Sequence, residues 1–157
     1  MGDSPFRASS SFGYRTHPIT GEYTLHNGPD YAAGEGTTVH AAAAGTVTKA
    51  ASTSISGNHL KIAHGDGYET SYLHLSAFQV GIGDQVQAGQ PIGLVGATGR
   101  VTGPHLHFIL RSNGTAIDPE PYITREFSSY VVNYWWVAVI TLSAMWGAIL
   151  YRRRRSG

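Results

Sequence analysis

The sequence contains no cysteine among its 157 residues. A disulfide framework and a thiolate site are therefore excluded, although this absence is compatible with either side of a membrane. Charge is also sparse, because charged residues make up 13% of the chain and the formal net charge is +1. Four of the eleven basic residues stand together as Arg152–Arg155, and the remaining seven are outnumbered by ten acidic residues. This balance indicates no nucleic-acid-binding face.

Three further signatures are missing. Residues Met1–Arg7 lack the apolar region of a secretory signal peptide, which predicts that the protein is not exported by a cleaved signal. No His-Glu-x-x-His motif is present, so the zinc-binding helix that carries its own Glu general base is excluded. No long helical period occurs before residue 130, and this part of the chain is therefore not expected to be helical.

Short β-segments with frequent glycine dominate the chain after residue 37. This spacing predicts an all-β class and a compact β-sandwich or barrel-sandwich-like domain over residues 1–123. The length of the chain and its 41% hydrophobic content are enough for one modest core. The expected strands are Thr37–Ala43, Gly45–Ala50, His59–His64, Tyr68–Leu73, Pro91–Val95 and His105–Arg111.

Two histidine-bearing motifs stand out, HLH at residues 105–107 and HNGPD at residues 26–30. Residues two apart in a strand point to the same face, so His105 and His107 would enter one site. The Asn-Gly-Pro sequence favours a turn that brings His26 and Asp30 together, since four extended steps would separate them by roughly 13 Å. Two imidazoles and one carboxylate, with a fourth position left to water, form the ligand set of a catalytic zinc site. One imidazole of the HLH motif then remains free for proton transfer.

These motifs, together with YLHLS at residues 72–76, resemble those of the lysostaphin-type zinc metallopeptidases that cleave peptidoglycan. The signature of that family is His-x-x-x-Asp, a middle His and His-x-His, and the resemblance runs from about residue 12 to residue 123. It implies that His26, Asp30 and His107 bind one Zn²⁺ ion and that His74 and His105 are the catalytic pair. It also implies that the partner is a peptide of peptidoglycan.

The other four histidines are interpreted as structural, because a lone histidine is more often a hydrogen-bonded core or turn residue than a ligand. Three of them, His17, His40 and His59, belong to none of the motifs. The fourth, His64, directly precedes a Gly-Asp-Gly sequence that is typical of a hairpin turn.

One position departs from the family pattern and leaves alternatives open. Family members often carry Glu two residues after the second His of His-x-His, where this chain has Ile109. That departure favours a catalytically silent wall-binding or amidase-regulating module, whereas the complete ligand set favours an enzyme. Carboxypeptidase trimming is a second enzymatic hypothesis. The glycine-rich segment Gly81–Gly93 resembles a hairpin of lipoyl and biotinyl carrier domains, but neither Lys49 nor Lys61 lies within it to be modified.

The C-terminal part of the chain has a different composition. Residues 124–130 form a short polar linker, and Val131–Tyr151 contains 21 residues without a charge. As a helix this segment would span roughly 31 Å, the thickness of a bilayer core, and aromatic residues cluster near both of its ends. The segment is therefore predicted to be one transmembrane helix that contacts the lipid bilayer. The Arg152–Arg155 run would keep residues 152–157 as a basic cytoplasmic tail and place the enzyme domain on the cell-wall side.

This orientation conflicts with the missing signal peptide. A domain of about 130 residues would have to cross the membrane ahead of its own anchor, or it would remain inside until the membrane is breached. The second route is typical of a phage or prophage lysis protein, and a lysis protein that permeabilises the membrane through its tail is a further hypothesis. The sequence leaves the oligomeric state open.

Overall fold

The computed structural model describes residues 6–122, and the fold in this range is all-β, as predicted. Short antiparallel strands follow one another along the chain and are joined mostly by glycine-containing turns. The strands are β1 Arg7–Ser10, β2 Gly13–Thr16, β3 Tyr23–His26, β4 Asp30–Ala32, β5 Thr38–His40, β6 Gly45–Thr53, β7 Gly57–Gly65, β8 Tyr68–Phe78, β9 Gln85–Val86, β10 Pro91–Val95, β11 His105–Ser112 and β12 Thr115–Ile117. A short 3-10 helix at Glu120–Tyr122 ends the described range.

Ten of these strands form one sheet, whose main path runs β1-β4-β11-β8-β7-β6-β9. In the same sheet, β10 pairs with β5 and β8, and β12 pairs with β11, while β2 and β3 form a separate two-stranded sheet. All of these pairings are antiparallel. The four long strands β11, β8, β7 and β6 are consecutive neighbours. Their side chains therefore provide a wide surface on each face of the sheet.

Strand β11 divides its side chains between the core and a groove. Phe108 and Leu110 are buried in the hydrophobic core, where the ring of Tyr72 meets Phe108 edge to face with the centroids 5.5 Å apart. Burial of each such side chain stabilises the fold by about 1.5–3 kcal/mol. His105 and His107 line the groove on the opposite face, as the alternation predicted. The core thus holds in place the strand that carries two of the predicted site residues.

Several strand boundaries and one pairing differ from the sequence prediction. Six strands, β1 to β4, β9 and β12, were not predicted, since each has only two to four residues and offers little alternation to detect. Strand β8 continues past Leu73 to Phe78. The hairpin expected at Gly81–Gly93 was wrong, because β9 pairs with β6 and β10 pairs with β5 and β8. Backbone hydrogen bonds between Ala41 and the turn at Gly89 and Gln90 stabilise this arrangement.

The predicted linker, transmembrane helix and basic tail lie outside the described residues. Within residues 6–122 no helix is long and apolar enough to cross a bilayer. The membrane assignment of Val131–Tyr151 therefore remains a prediction from the sequence.

Candidate metal centre

A single groove brings together the five residues predicted for the site. Its volume is about 550 Å³, and it runs along the face of the sheet opposite the hydrophobic core. The predicted residues on its wall are His26, Asp30, His74, His105 and His107. They come from β4, β8 and β11 of the large sheet and from β3 of the two-stranded sheet, so the site exists only when both sheets are assembled.

The pairing of β4 with β11 positions two of the predicted ligands. Asp30 and His107 are directly opposite each other in this ladder. The turn that precedes Asp30 lies against β11, where the amide of Phe108 donates a hydrogen bond to the carbonyl of Pro29 at 3.0 Å. Only glycine fits at residue 28, because a Cβ there would collide with the carbonyl of Phe108. The predicted turn therefore delivers His26 and Asp30 to the same point.

The three predicted ligands have the geometry of a metal site. Nε2 of His26 lies 3.2 Å from Nδ1 of His107 and 3.2 Å from Oδ2 of Asp30. Nδ1 of His107 lies 2.7 Å from Oδ1 of Asp30. Tetrahedral zinc with bonds of 2.0–2.1 Å places its ligand atoms about 3.3 Å apart, so these atoms need little movement to bind one ion. The donor set fits zinc, since imidazole and carboxylate are two of its usual ligands.

Hydrogen bonds fix the ligand nitrogen of both imidazoles. Nδ1 of His26 donates to the carbonyl of Ser11 at 2.8 Å, which leaves Nε2 unprotonated in the neutral ring. His107 has the opposite arrangement, because its Nε2 lies 3.0 Å from Oδ1 of Asn27 and donates to it, which leaves Nδ1 as the ligand atom. Such outer contacts orient the ring and raise the basicity of the ligand.

His74 and His105 form a second pair beside the ligands. Their ring centroids are 4.8 Å apart, and Nε2 of His105 lies 3.6 Å from Oδ1 of Asp30. Each ring donates its Nδ1 proton to a backbone carbonyl at 2.9 Å, that of Thr98 for His74 and that of Gly103 for His105. The Nε2 atom of each neutral ring is therefore a proton acceptor next to the metal centre.

A β-bulge places His74 in the groove. Asn58 pairs with Leu75 and Leu60 pairs with Tyr72, so β8 has one residue more than β7 between these two pairs. His74 itself has a φ of +65°, which is uncommon for a residue other than glycine. Strand β8 also changes partner here, from β11 to β10. A residue in this strained conformation at the edge of a site is typical of a functional constraint.

The electrostatics of the site favour metal binding near neutral pH. Burial alone would raise the pKa of Asp30, but the imidazoles of His107 and His26, whose nitrogens lie 2.7 Å and 3.2 Å from its carboxylate oxygens, hold the pKa well below its usual range. Burial lowers the pKa of His107, and this effect outweighs the opposite influence of the Asp30 carboxylate. Burial also lowers the pKa of His74, to about 4. An ionised carboxylate beside neutral imidazoles is the protonation state that a metal ion requires.

Sequence reasoning missed three residues of the site. Asn27, which the sequence assigned only to a turn, accepts the hydrogen bond from His107. Arg15 donates to Oδ2 of Asp30 at 3.3 Å, and its Nε is buried without a hydrogen-bond partner among the described residues. His59, interpreted as structural, does hydrogen-bond the Gly57 carbonyl at 3.2 Å, yet its side chain also lines the groove. The only available signal was that Asn27 lies inside the ligand motif.

A His-Asp-His cluster that could hold a metal ion, with two further imidazoles beside it on an all-β scaffold, is the arrangement expected of a metallopeptidase. The chain belongs to Peptidase family M23, since the sequence model of that family matches residues 24–119. This confirms the resemblance inferred from the motifs.

Two similar proteins agree with this assignment. The DD-carboxypeptidase/endopeptidase Mpg of Neisseria meningitidis is 50% identical over 113 residues, which cover 72% of this chain and 26% of that protein. The peptidoglycan DD-endopeptidase ShyA of Vibrio cholerae is 45% identical over 117 residues, or 74% of this chain and 27% of that protein. The chain thus spans about a quarter of the length of these relatives.

Two solved structures share the fold. A zinc-containing peptidase from Vibrio cholerae superposes with a TM-score of 0.70 at 41% identity, covering 74% of this chain and 36% of that one. The catalytic domain of lysostaphin from Staphylococcus simulans superposes with a TM-score of 0.68 at 35% identity, covering 77% of this chain and 98% of that one. The described residues therefore correspond to a catalytic domain of this family.

Proposed function

We propose that this protein is a zinc-dependent endopeptidase that hydrolyses peptide cross-links or stem peptides of bacterial peptidoglycan. The observation that carries the proposal is the gathering of His26, Asp30 and His107, whose candidate ligand atoms all lie within 4.8 Å of one another, with the ring of His74 beside that of His105. The names of the relatives support peptidoglycan as the substrate, because they include DD-endopeptidases.

The groove supplies the remaining chemistry through its own side chains. Zinc, when bound, lowers the pKa of a coordinated water and polarises the scissile carbonyl. Burial lowers the pKa of His74 to about 4, which keeps the ring neutral at pH 7, and the hydrogen bond from its Nδ1 to the Thr98 carbonyl leaves Nε2 free to accept a proton. His105 lies against its ring. One member of the pair accepts the proton of the attacking water at Nε2, and the other would steady the developing oxyanion only with a proton on Nε2 in addition to the Nδ1 proton that it donates to a backbone carbonyl.

Zinc content and turnover of the protein distinguish the proposed metal ligands from the proposed catalytic pair. His107→Ala is expected to lose both zinc and the release of new amine termini from purified cell walls. His74→Ala and His105→Ala are expected to keep stoichiometric zinc and to lose about 10²- to 10⁴-fold in turnover. His40→Gln is the matched control, because His40 does not line the groove. Loss of zinc from His105→Ala would reverse the ligand assignment.

The rival proposal is a catalytically silent wall-binding or amidase-regulating module. Ile109, which lines the groove and is 3% exposed, is the one departure that favours it. Cell walls of different cross-link types distinguish the two proposals. Cleavage of any type supports the enzyme and identifies the bond, and zinc binding without cleavage of any type supports the silent module.

We also propose that Val131–Tyr151 anchors the protein with the enzyme domain on the cell-wall side. The uncharged length and the following arginines support this proposal, and a phage or prophage lysis role extends it. Protease treatment of spheroplasts is the test. Digestion of the domain in intact spheroplasts is the expected result, and a protected domain would contradict this orientation.

A further inference from the structure

The only two lysines of the sequence face each other on adjacent strands. Lys49 of β6 is directly opposite Lys61 of β7 in the antiparallel register, and both side chains line the groove. The same transverse row continues through Ser71 of β8 to Ile109 of β11. The row thus meets β11 at Ile109, two residues after His107.

Without a ligand, this lysine pair is expected to lower the stability of the fold. Like charges directly opposite each other on neighbouring strands destabilise a sheet. Lys61 is relieved by Glu69, whose carboxylate lies 2.7 Å from its Nζ. Lys49 has no ion pair among residues 6–122. Two lysines in register on neighbouring strands of one groove give it a local positive charge that an anionic ligand would neutralise.

The charge balance at this end of the groove is positive. Arg111 also lines it and shares Glu69 with Lys61, at 3.6 Å from the same carboxylate oxygen. This part of the groove thus has three cations, Lys49, Lys61 and Arg111, and one carboxylate, Glu69, which pairs with the last two. Ile109, at the position where the family often has Glu, adds no negative charge to the row.

We propose that Lys49 and Lys61, with Arg111 beside them, form a subsite that binds a free carboxylate of the peptide substrate. This inference rests on the proposed function and narrows its substrate class to anionic stem peptides, as opposed to uncharged bridge peptides. Strand spacings place the Cα of Lys61 roughly 12 Å from that of His107, which is the length of three or four residues of extended peptide. The carboxylate therefore belongs to a residue within about three positions of the scissile bond.

The test compares two synthetic cross-linked stem peptides that differ only in their carboxylates. One has them free, and in the other they are converted to carboxamides. The full-length protein is expected to give a higher kcat/KM for the free form. In the Lys49→Gln/Lys61→Gln double variant, the ratio of kcat/KM for the free-carboxylate peptide to kcat/KM for the carboxamide peptide is expected to fall about tenfold. Adding 0.5 M salt is expected to lower the same ratio for the wild-type protein. Arg7→Gln is the matched control, since Arg7 is exposed outside the groove.

A binding measurement separates this inference from the proposed function. The affinity of the zinc-depleted protein for both peptides is measured by calorimetry. A preference for the free carboxylates that disappears in the double variant supports the subsite even when no peptide is cleaved. Cleavage of both forms at equal rates, with no change in the double variant, would overturn the subsite and leave the endopeptidase in place.

The thermal stability of the single variant Lys49→Gln tests the effect of the two like charges without any substrate. It removes the repulsion across the ladder without breaking an ion pair among the described residues, so Tm is expected to rise by about 2 °C. Lys49→Arg keeps the charge and is expected to leave Tm and the carboxylate preference unchanged. A lower Tm for Lys49→Gln would contradict the argument from like charges.

Discussion

Replacing Asn27 by alanine tests whether zinc affinity depends on a residue outside the ligand set. The substitution removes the oxygen that accepts the hydrogen bond from Nε2 of His107 at 3.0 Å. His107 is only 7% exposed, so its N–H would be left largely without a partner. Leaving such a donor unsatisfied costs about 1–3 kcal/mol. Loss of an outer contact to a metal ligand typically weakens metal affinity by about 10–100-fold, which is the same range of energy.

A competition titration with a chromophoric zinc chelator measures this effect directly. Asn27→Asp is the control, because it keeps an acceptor at the same place and is expected to retain the affinity. Circular dichroism of the zinc-free proteins checks that both variants fold. An Asn27→Ala protein that binds zinc as tightly as the wild type would refute the argument that this hydrogen bond positions the ligand nitrogen.

Three further substitutions test other parts of the structure. Burial lowers the pKa of His64 below its ordinary value of 6.5, so the unfolded chain binds the proton more readily than the folded chain does. The contribution of neutral His64 to the stability of the fold is therefore complete above pH 6.5 and is lost as the pH falls below 6.5. His64→Gln should therefore flatten the decrease of Tm between pH 7 and pH 5, and an unchanged slope would contradict this. Gly28→Ala should lower the free energy of unfolding by about 3 kcal/mol in urea titrations, because its Cβ meets the Phe108 carbonyl, and a stable variant would contradict the close approach. Ile109→Glu should lower the preference for free carboxylates about fivefold relative to Ile109→Gln, and an equal preference in both variants would count against the subsite.

The meeting of the two histidine motifs was predictable because it depends on local rules, whereas the choice of His107 over His105 as a ligand came from the family resemblance. A strand has a side-chain period of two, which places His105 and His107 on one face, and Asn-Gly-Pro is a turn sequence. These rules hold here because β11 is regular and the turn is short. The all-β class followed from the spacing of glycines and short apolar runs for the same reason.

The environment of the ligands was not predictable from the same rules. The position of Asn27 next to His107 depends on how the turn docks on β11, which is a contact between residues about eighty positions apart in sequence. The Arg15 contact with Asp30 depends on the separate β2–β3 sheet, whose strands are too short to be recognised. A lone histidine such as His59 gives no local sign that its side chain lines a groove.

The bulge in β8 reverses the alternation of side chains between the groove and the core. Before the bulge the odd-numbered Ser71 and Leu73 face the groove, while Tyr72 faces the core. After it the parity is reversed, since His74 faces the groove and Leu75 is fully buried. Deletion of one residue at this point would restore a regular strand. Every side chain that follows the deletion would then move to the opposite face of the sheet. We therefore expect the site to tolerate length changes in its surface turns far better than in β8, where the number of residues decides the direction of the His74 side chain.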